Sequence, residues 1–211
     1  MSARGFTAAV ALLSFLAVAW LALPGWIYVP LNLAALTILV VVAGHHGATP
    51  AGLGFDRARA RAGLTLGLAV GAVLAALIAI TAAVPSARTL FEDQRAAGIG
   101  VAGLLYQVLV RIPLGTALFE EVAFRGVLLA LGRQAFGRRA GTLAAAVLFG
   151  LWHVVPALDV AERNSAAGGL PAWLVVTGAV VATAVAGLGF TWLRDRSGSL
   201  LAPTVVHALL N

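Results

Sequence analysis

From Gly5 to Phe55 the chain carries no acidic or basic residue apart from two histidines, a run long enough for two bilayer crossings at about 20 residues each. The rest of the sequence keeps that character. Apolar residues make up 61% and charged residues 10%, with a mean hydropathy of +0.99, against about 45–50% and about 25% in soluble domains. An ordinary globular enzyme, a nucleic-acid-binding domain and a disordered tail are excluded together. The pattern predicts an all-α, polytopic transmembrane helix bundle. The net charge of +6 and pI of 11.4 then reflect arginines that hold loops at one membrane face, with the lipid bilayer as partner and no nucleic acid. There is no Cys, which excludes disulfides, thiolate nucleophiles and Cys-ligated metal. There is no Lys either, which removes Lys nucleophiles and Schiff bases.

Spans are expected at roughly 6–23, 31–45 and 62–87, from about Ile99 to Leu131, from just after Arg139 to about Leu158, from Pro171 to Leu193, and over the short stretch Leu200–Asn211. Seven crossings with a cytoplasmic N-terminus place nine arginines in inner loops: Arg4, Arg57, Arg59, Arg61, Arg133, Arg138, Arg139, Arg194 and Arg196. Outer loops receive Arg88, Arg95 and Arg163, with the acids Glu92, Asp93, Asp159 and Glu162. That asymmetry follows the positive-inside rule. Residues 1–30 have the single basic residue and apolar run of a signal peptide, but the apolar core of 18 residues exceeds the usual 7–15, so a retained span is expected. No internal repeat or linker interrupts the chain, which reads as a single membrane domain over 1–211. Gly178, Gly187 and Gly189 on the sixth span are expected to permit close helix packing. His45 and His46 are expected in a solvated loop, and Arg111 at an interface.

Ionisable residues inside the spans are Arg111, Glu120, Glu121, Arg125, His153 and His207. A charge at the bilayer centre costs about 2.5–3.5 kcal/mol even on a lenient scale, so each is a candidate functional residue. Glu121 and Arg125 stand at i and i+4, within ion-pair reach on one helix face, where a packing role is the plain reading. Glu120 points about 100° away and has no cation at helical spacing. Phe149 and His153, and His207 and Asn211, are also i, i+4 pairs. Glu120 lies 13 residues from Arg133, His153 14 from Arg139, and His207 and Asn211 lie 11 and 15 from Arg196. At about 1.5 Å per residue all four fall roughly 17–23 Å from the arginine level. Three helices thus present polar groups at one depth.

Glu120-Glu121-Val-Ala-Phe-Arg125 is an EExxxR motif, Phe149-Gly-Leu-Trp-His153 an FxxxH motif, and His207-Ala-Leu-Leu-Asn211 an HxxxN motif. In this order they resemble the three signatures of the CPBP family of intramembrane glutamic endopeptidases, which includes type II CAAX prenyl proteases and bacteriocin-processing relatives. The likeness covers about 115–211. The first half matches only as apolar helices, and the further helix that many members carry after the last motif does not follow Asn211. The resemblance implies hydrolysis of a peptide bond by activated water, without metal or other cofactor, in a bacterial inner membrane. Glu120 and His153 would hold and activate the water, and His207 and Asn211 would stabilise the oxyanion. Glu121, Arg125 and Phe149 would support them.

That chemistry asks for these residue types. Without a Ser or Cys nucleophile, peptide hydrolysis needs a base that takes a proton from water, and the tetrahedral oxyanion needs preorganised donors. The implied substrate is a peptide or membrane-associated protein, either a prenylated CAAX-type C-terminus or a bacteriocin-like precursor. Three other readings compete: a zinc protease using Glu120, His153 and His207, a proton-coupled transporter using the same groups as a relay, and a non-catalytic scaffold or immunity protein.

Overall fold

Proline and glycine decide where the helices start, stop and turn. The computed structural model describes residues 2–87, 98–163 and 170–211, and every regular element among them is helical. Helix α1 runs Ser2–Ala22 and α2 Tyr28–His45, joined through Pro24 and the tight turn Gly25–Ile27. The second helix begins three residues earlier than expected because Pro30 occupies its first turn, where a missing N–H leaves no bond unmade. His46 ends α2, its ring packed against Gly5 of α1 and not in a solvated loop. A single helical turn, α3 (Pro50–Leu53), leads to α4 (Ala60–Ala83).

The expected fourth and fifth spans are two arms of one long element. It starts as α5 (Val101–Tyr106), widens to π-helical geometry over Gln107–Leu118 and Glu121–Leu128, and continues as α6 (Leu129–Trp152). Pro113, inside the first wide stretch, has no N–H and crowds the preceding turn, a recognised cause of such departures. At Gly137 the backbone takes φ 80°, a conformation that favours glycine, and the chain doubles back. The two arms touch at Gly132 and Gly141, where a Cβ on Gly141 would collide with the Gly132–Arg133 backbone.

The second arm ends sooner than expected. His153 leaves helical geometry (φ −88°, ψ 4°), and α7 (Val154–Arg163) starts afresh. Pro156 cannot donate to the Trp152 carbonyl, so an uninterrupted helix is disfavoured there. Helix α8 (Ala172–Ser197) follows, then α9 (Leu201–Leu210) after Gly198 at φ 70°. With ten residues, α9 is about 15 Å long, half the hydrocarbon thickness.

Among the described residues, five stretches are long and apolar enough to cross a membrane, one of them 101–162, which contains both arms. The protein is an integral membrane helix bundle. Lipid is as apolar as leucine, so such helices associate through close packing of small residues. Gly63, Gly67 and Gly71 line the face of α4 that meets α9. Added Cβ atoms there would lie 2.7 Å from Ser199, 2.8 Å from the Ala202 carbonyl and 2.6 Å from Leu209. Gly150 meets Val180 and Ala184 of α8 in the same way. Of the three glycines expected to do this on α8, only Gly187 does; Gly178 and Gly189 have nothing within 4 Å.

The expected inner loops come together at one end of the bundle. Phe6 meets Phe136, Arg133 meets Asp195, Gly54 meets Leu200 and Arg194, and Gly198 meets Arg59. Arg88, Glu92, Asp93 and Arg95, and the side chain of Arg163, lie outside the described residues. Trp26 and Trp173 are exposed at helix ends, as an interfacial belt requires.

Candidate active site

Glu120 sits between the two wide helical stretches and Glu121 opens the second; both are buried, at 5% and 0% exposure. The glutamates diverge as their spacing predicts. Oε1 of Glu121 accepts from Nη1 of Arg125 at 3.0 Å and lies 2.8 Å from Nδ1 of His207. Since a carboxylate only accepts, Nδ1 of His207 carries the hydrogen, and its Nε2 faces the other glutamate at 3.8 Å from Oε2 of Glu120. His153 faces the same oxygen. Its Nδ1 donates to the Phe149 carbonyl at 2.8 Å, and its Nε2 lies 4.0 Å from the same Oε2. The first oxygen of Glu120 is taken by the indole N–H of Trp152 at 3.1 Å. Oε2 of Glu120 is buried without a hydrogen-bond partner.

Around these groups is an aromatic box. The Arg125 guanidinium lies over Phe149 at 3.7 Å and Phe190 at 4.9 Å, a cation–π arrangement that offsets its removal from water. Phe190 also stacks on His207, with ring centroids 5.2 Å apart and planes 15° apart. Phe149 meets the rings of His153 and His207 in T-shaped contacts. Gly187 makes room for this packing, because a Cβ there would lie 3.3 Å from Phe149 and 3.4 Å from Arg125.

The structure therefore brings together Glu120, Glu121, Arg125, Phe149, His153 and His207. Asn211 is the exception. Its side-chain amide donates to the His207 carbonyl at 3.1 Å, and the residue is exposed. Among the described residues no group of three His, Asp or Glu side chains is spaced to hold a metal ion.

Several neighbours escaped the motifs. Trp152 directly precedes His153, and nothing local ties it to Glu120, 32 positions away. From the first half of the chain, Asn32 is fully buried and donates to the Gly115 carbonyl at 2.8 Å. The Tyr28 hydroxyl lies 3.3 Å from that of Thr116, and Arg111 sits 4.7 Å over the Tyr28 ring. Arg111 is half-buried and also donates to Gln107 at 3.3 Å. These contacts clamp α2 to the wide turn just before Glu120.

Residues 102–211 match the family described as type II CAAX prenyl endopeptidase, Rce1-like. No curated protein and no solved structure gives a significant match. The matched region is just over half of the chain and holds all three motifs and every charged group of the buried cluster. The protein belongs to the Rce1-like type II CAAX prenyl endopeptidase family of intramembrane proteases.

Proposed function

We propose that this protein is a glutamate-dependent endopeptidase in which Glu120 activates water without a metal. The observation that carries the reading is the unpartnered Oε2 of Glu120, faced by the Nε2 atoms of His153 and His207 at 4.0 and 3.8 Å. A water set to one side of these atoms can hydrogen-bond to Oε2 and to either imidazole. Its oxygen adds to the scissile carbonyl carbon while Glu120 takes its proton. The tetrahedral intermediate then breaks its C–N bond, and that proton passes to the leaving nitrogen. Trp152 occupies Oε1 and so aims Oε2 at the water. Glu121 holds the His207 ring, and Arg125 holds Glu121.

His207 can donate from Nε2 to an oxyanion only as the imidazolium, since Nδ1 is committed to Glu121. For Asn211 to be the second donor, its amide has to leave the His207 carbonyl. The substrate is a peptide or membrane-associated protein, and the family name favours a prenylated C-terminal segment. A small secreted peptide precursor is the other substrate class. The whole chain acts as one domain, in a bacterial inner membrane with the arginine-bearing end facing the cytoplasm.

The test is mass-spectrometric profiling of peptides in host cells that express wild type or Glu120→Gln. Fragments present with wild type and lost with the variant are expected, and their C-terminal chemistry names the substrate class. A fully active Glu120→Gln protein overturns the reading.

A further inference from the structure

At the arginine-bearing end, one basic side chain is consumed in holding the bundle together. Arg133 meets Asp195 through both Nη atoms, at 2.9 and 2.7 Å, and donates from Nε to Thr142 at 3.0 Å. Asp195 also accepts from Arg194 at 3.2 Å. Two guanidinium groups therefore occupy this carboxylate, and Arg138 reaches it only at 3.9 Å with its own side chain 82% exposed. Arg139 and Arg196 are exposed and, among the described residues, make no hydrogen bond or ion pair.

Arg133, Arg138, Arg139, Arg196 and Asp195 line a groove of about 890 Å³ between the second arm of α6 and the end of α8, within the roughly 300–1,000 Å³ typical of ligand sites. Four arginines against one aspartate give its lining a net charge of +3. Its other wall is apolar and turned outward, with Leu143 56%, Leu188 38% and Trp192 58% exposed. In a membrane-embedded bundle that wall faces acyl chains.

We propose that this groove binds the phosphate headgroup of an anionic phospholipid, held by Arg138, Arg139 and Arg196, with its chains against Leu143, Leu188 and Trp192. Guanidinium groups match phosphate oxygens in pairs, and basic pockets between membrane helices suit such headgroups. The apolar wall distinguishes a lipid from a soluble anion, because a free phosphate gains nothing from Leu143, Leu188 or Trp192. The bound lipid bridges α6 and α8, the helices that carry Phe149 and Phe190.

The test is native mass spectrometry of the delipidated full chain, titrated with dioleoylphosphatidylglycerol or dioleoylphosphatidylcholine. Phosphatidylglycerol is expected to bind more tightly. The triple variant R138Q/R139Q/R196Q should weaken it by at least about tenfold. The triple variant R57Q/R59Q/R61Q, which loses the same charge elsewhere at this end, should leave it unchanged. Equal binding of the two lipids, or equal weakening by both triple variants, overturns the site. Displacement of the lipid by millimolar inorganic phosphate overturns the lipid assignment in favour of a soluble anion. Should the first triple variant fail to fold, Arg139→Gln and the two-lipid comparison on wild type decide the question.

Discussion

Nδ1 of His207 lies 2.8 Å from Oε1 of Glu121, the same oxygen that accepts from Arg125 at 3.0 Å. The second glutamate therefore ties α9 to the wide helical turn and sets where the Nε2 of His207 points. The two adjacent glutamates should fail in different ways. Glu120→Gln is expected to lower cleavage by about 10²–10⁴-fold, as loss of a general base does, with little change in melting temperature. Glu121→Gln breaks a buried charge pair and should cost about 3–5 kcal/mol of stability. Thermal unfolding in detergent beside a cleavage assay separates them, and equal melting of both variants would contradict the division.

Trp152 donates its indole N–H to Oε1 of Glu120 at 3.1 Å. Trp152→Phe keeps an aromatic ring against Trp20 and Phe124 but removes that donor. The expected result is a drop of about 10–100-fold in kcat, the usual cost of a lost orienting partner, with KM and melting temperature nearly unchanged. An unchanged kcat would leave Trp152 a packing residue.

The reach of the sequence is uneven for a physical reason. Glu120, His153 and His207 were legible because a polar group in a bilayer is expensive enough to stand out, and helical rise alone put them at one depth. The break at His153 was signalled only by Pro156, which an unbroken apolar run obscured. Asn32 and Tyr28 left no trace, since their partners Gly115 and Thr116 are 83 and 88 positions away and neither residue is charged. Asn211 shows the converse. Its spacing from His207 is correct for a shared helix face, but its amide donates to the His207 carbonyl one turn back.

Gly67 sets how closely α9 approaches α4. A Cβ on it would lie 2.8 Å from the Ala202 carbonyl and 3.0 Å from Val205, and backbone cannot step aside as a flexible side chain can. Gly67→Leu should push α9 away and carry His207 from Glu120, with a loss of about 1–3 kcal/mol from overpacking and a matching loss of cleavage. Gly178→Ala and Gly189→Ala, with nothing within 4 Å, should be silent in both measurements. Melting curves of the three variants are sufficient, and a silent Gly67→Leu would refute the close packing.

Cleavage should survive removal of divalent metal. Each of the three central side chains has one atom already committed: Oε1 of Glu120 to Trp152, Nδ1 of His153 to the Phe149 carbonyl, and Nδ1 of His207 to Glu121. One acceptor remains on each, and these are also the atom types that zinc selects. Their separations of 3.8 and 4.0 Å from Oε2 of Glu120 suit a water that one carboxylate deprotonates. Among the described residues no trio of such side chains is spaced for a metal ion. Dialysis against a strong chelator should therefore leave the rate within about twofold, and added zinc should not raise it. A loss of activity that zinc restores would make Glu120, His153 and His207 metal ligands and replace the glutamate mechanism.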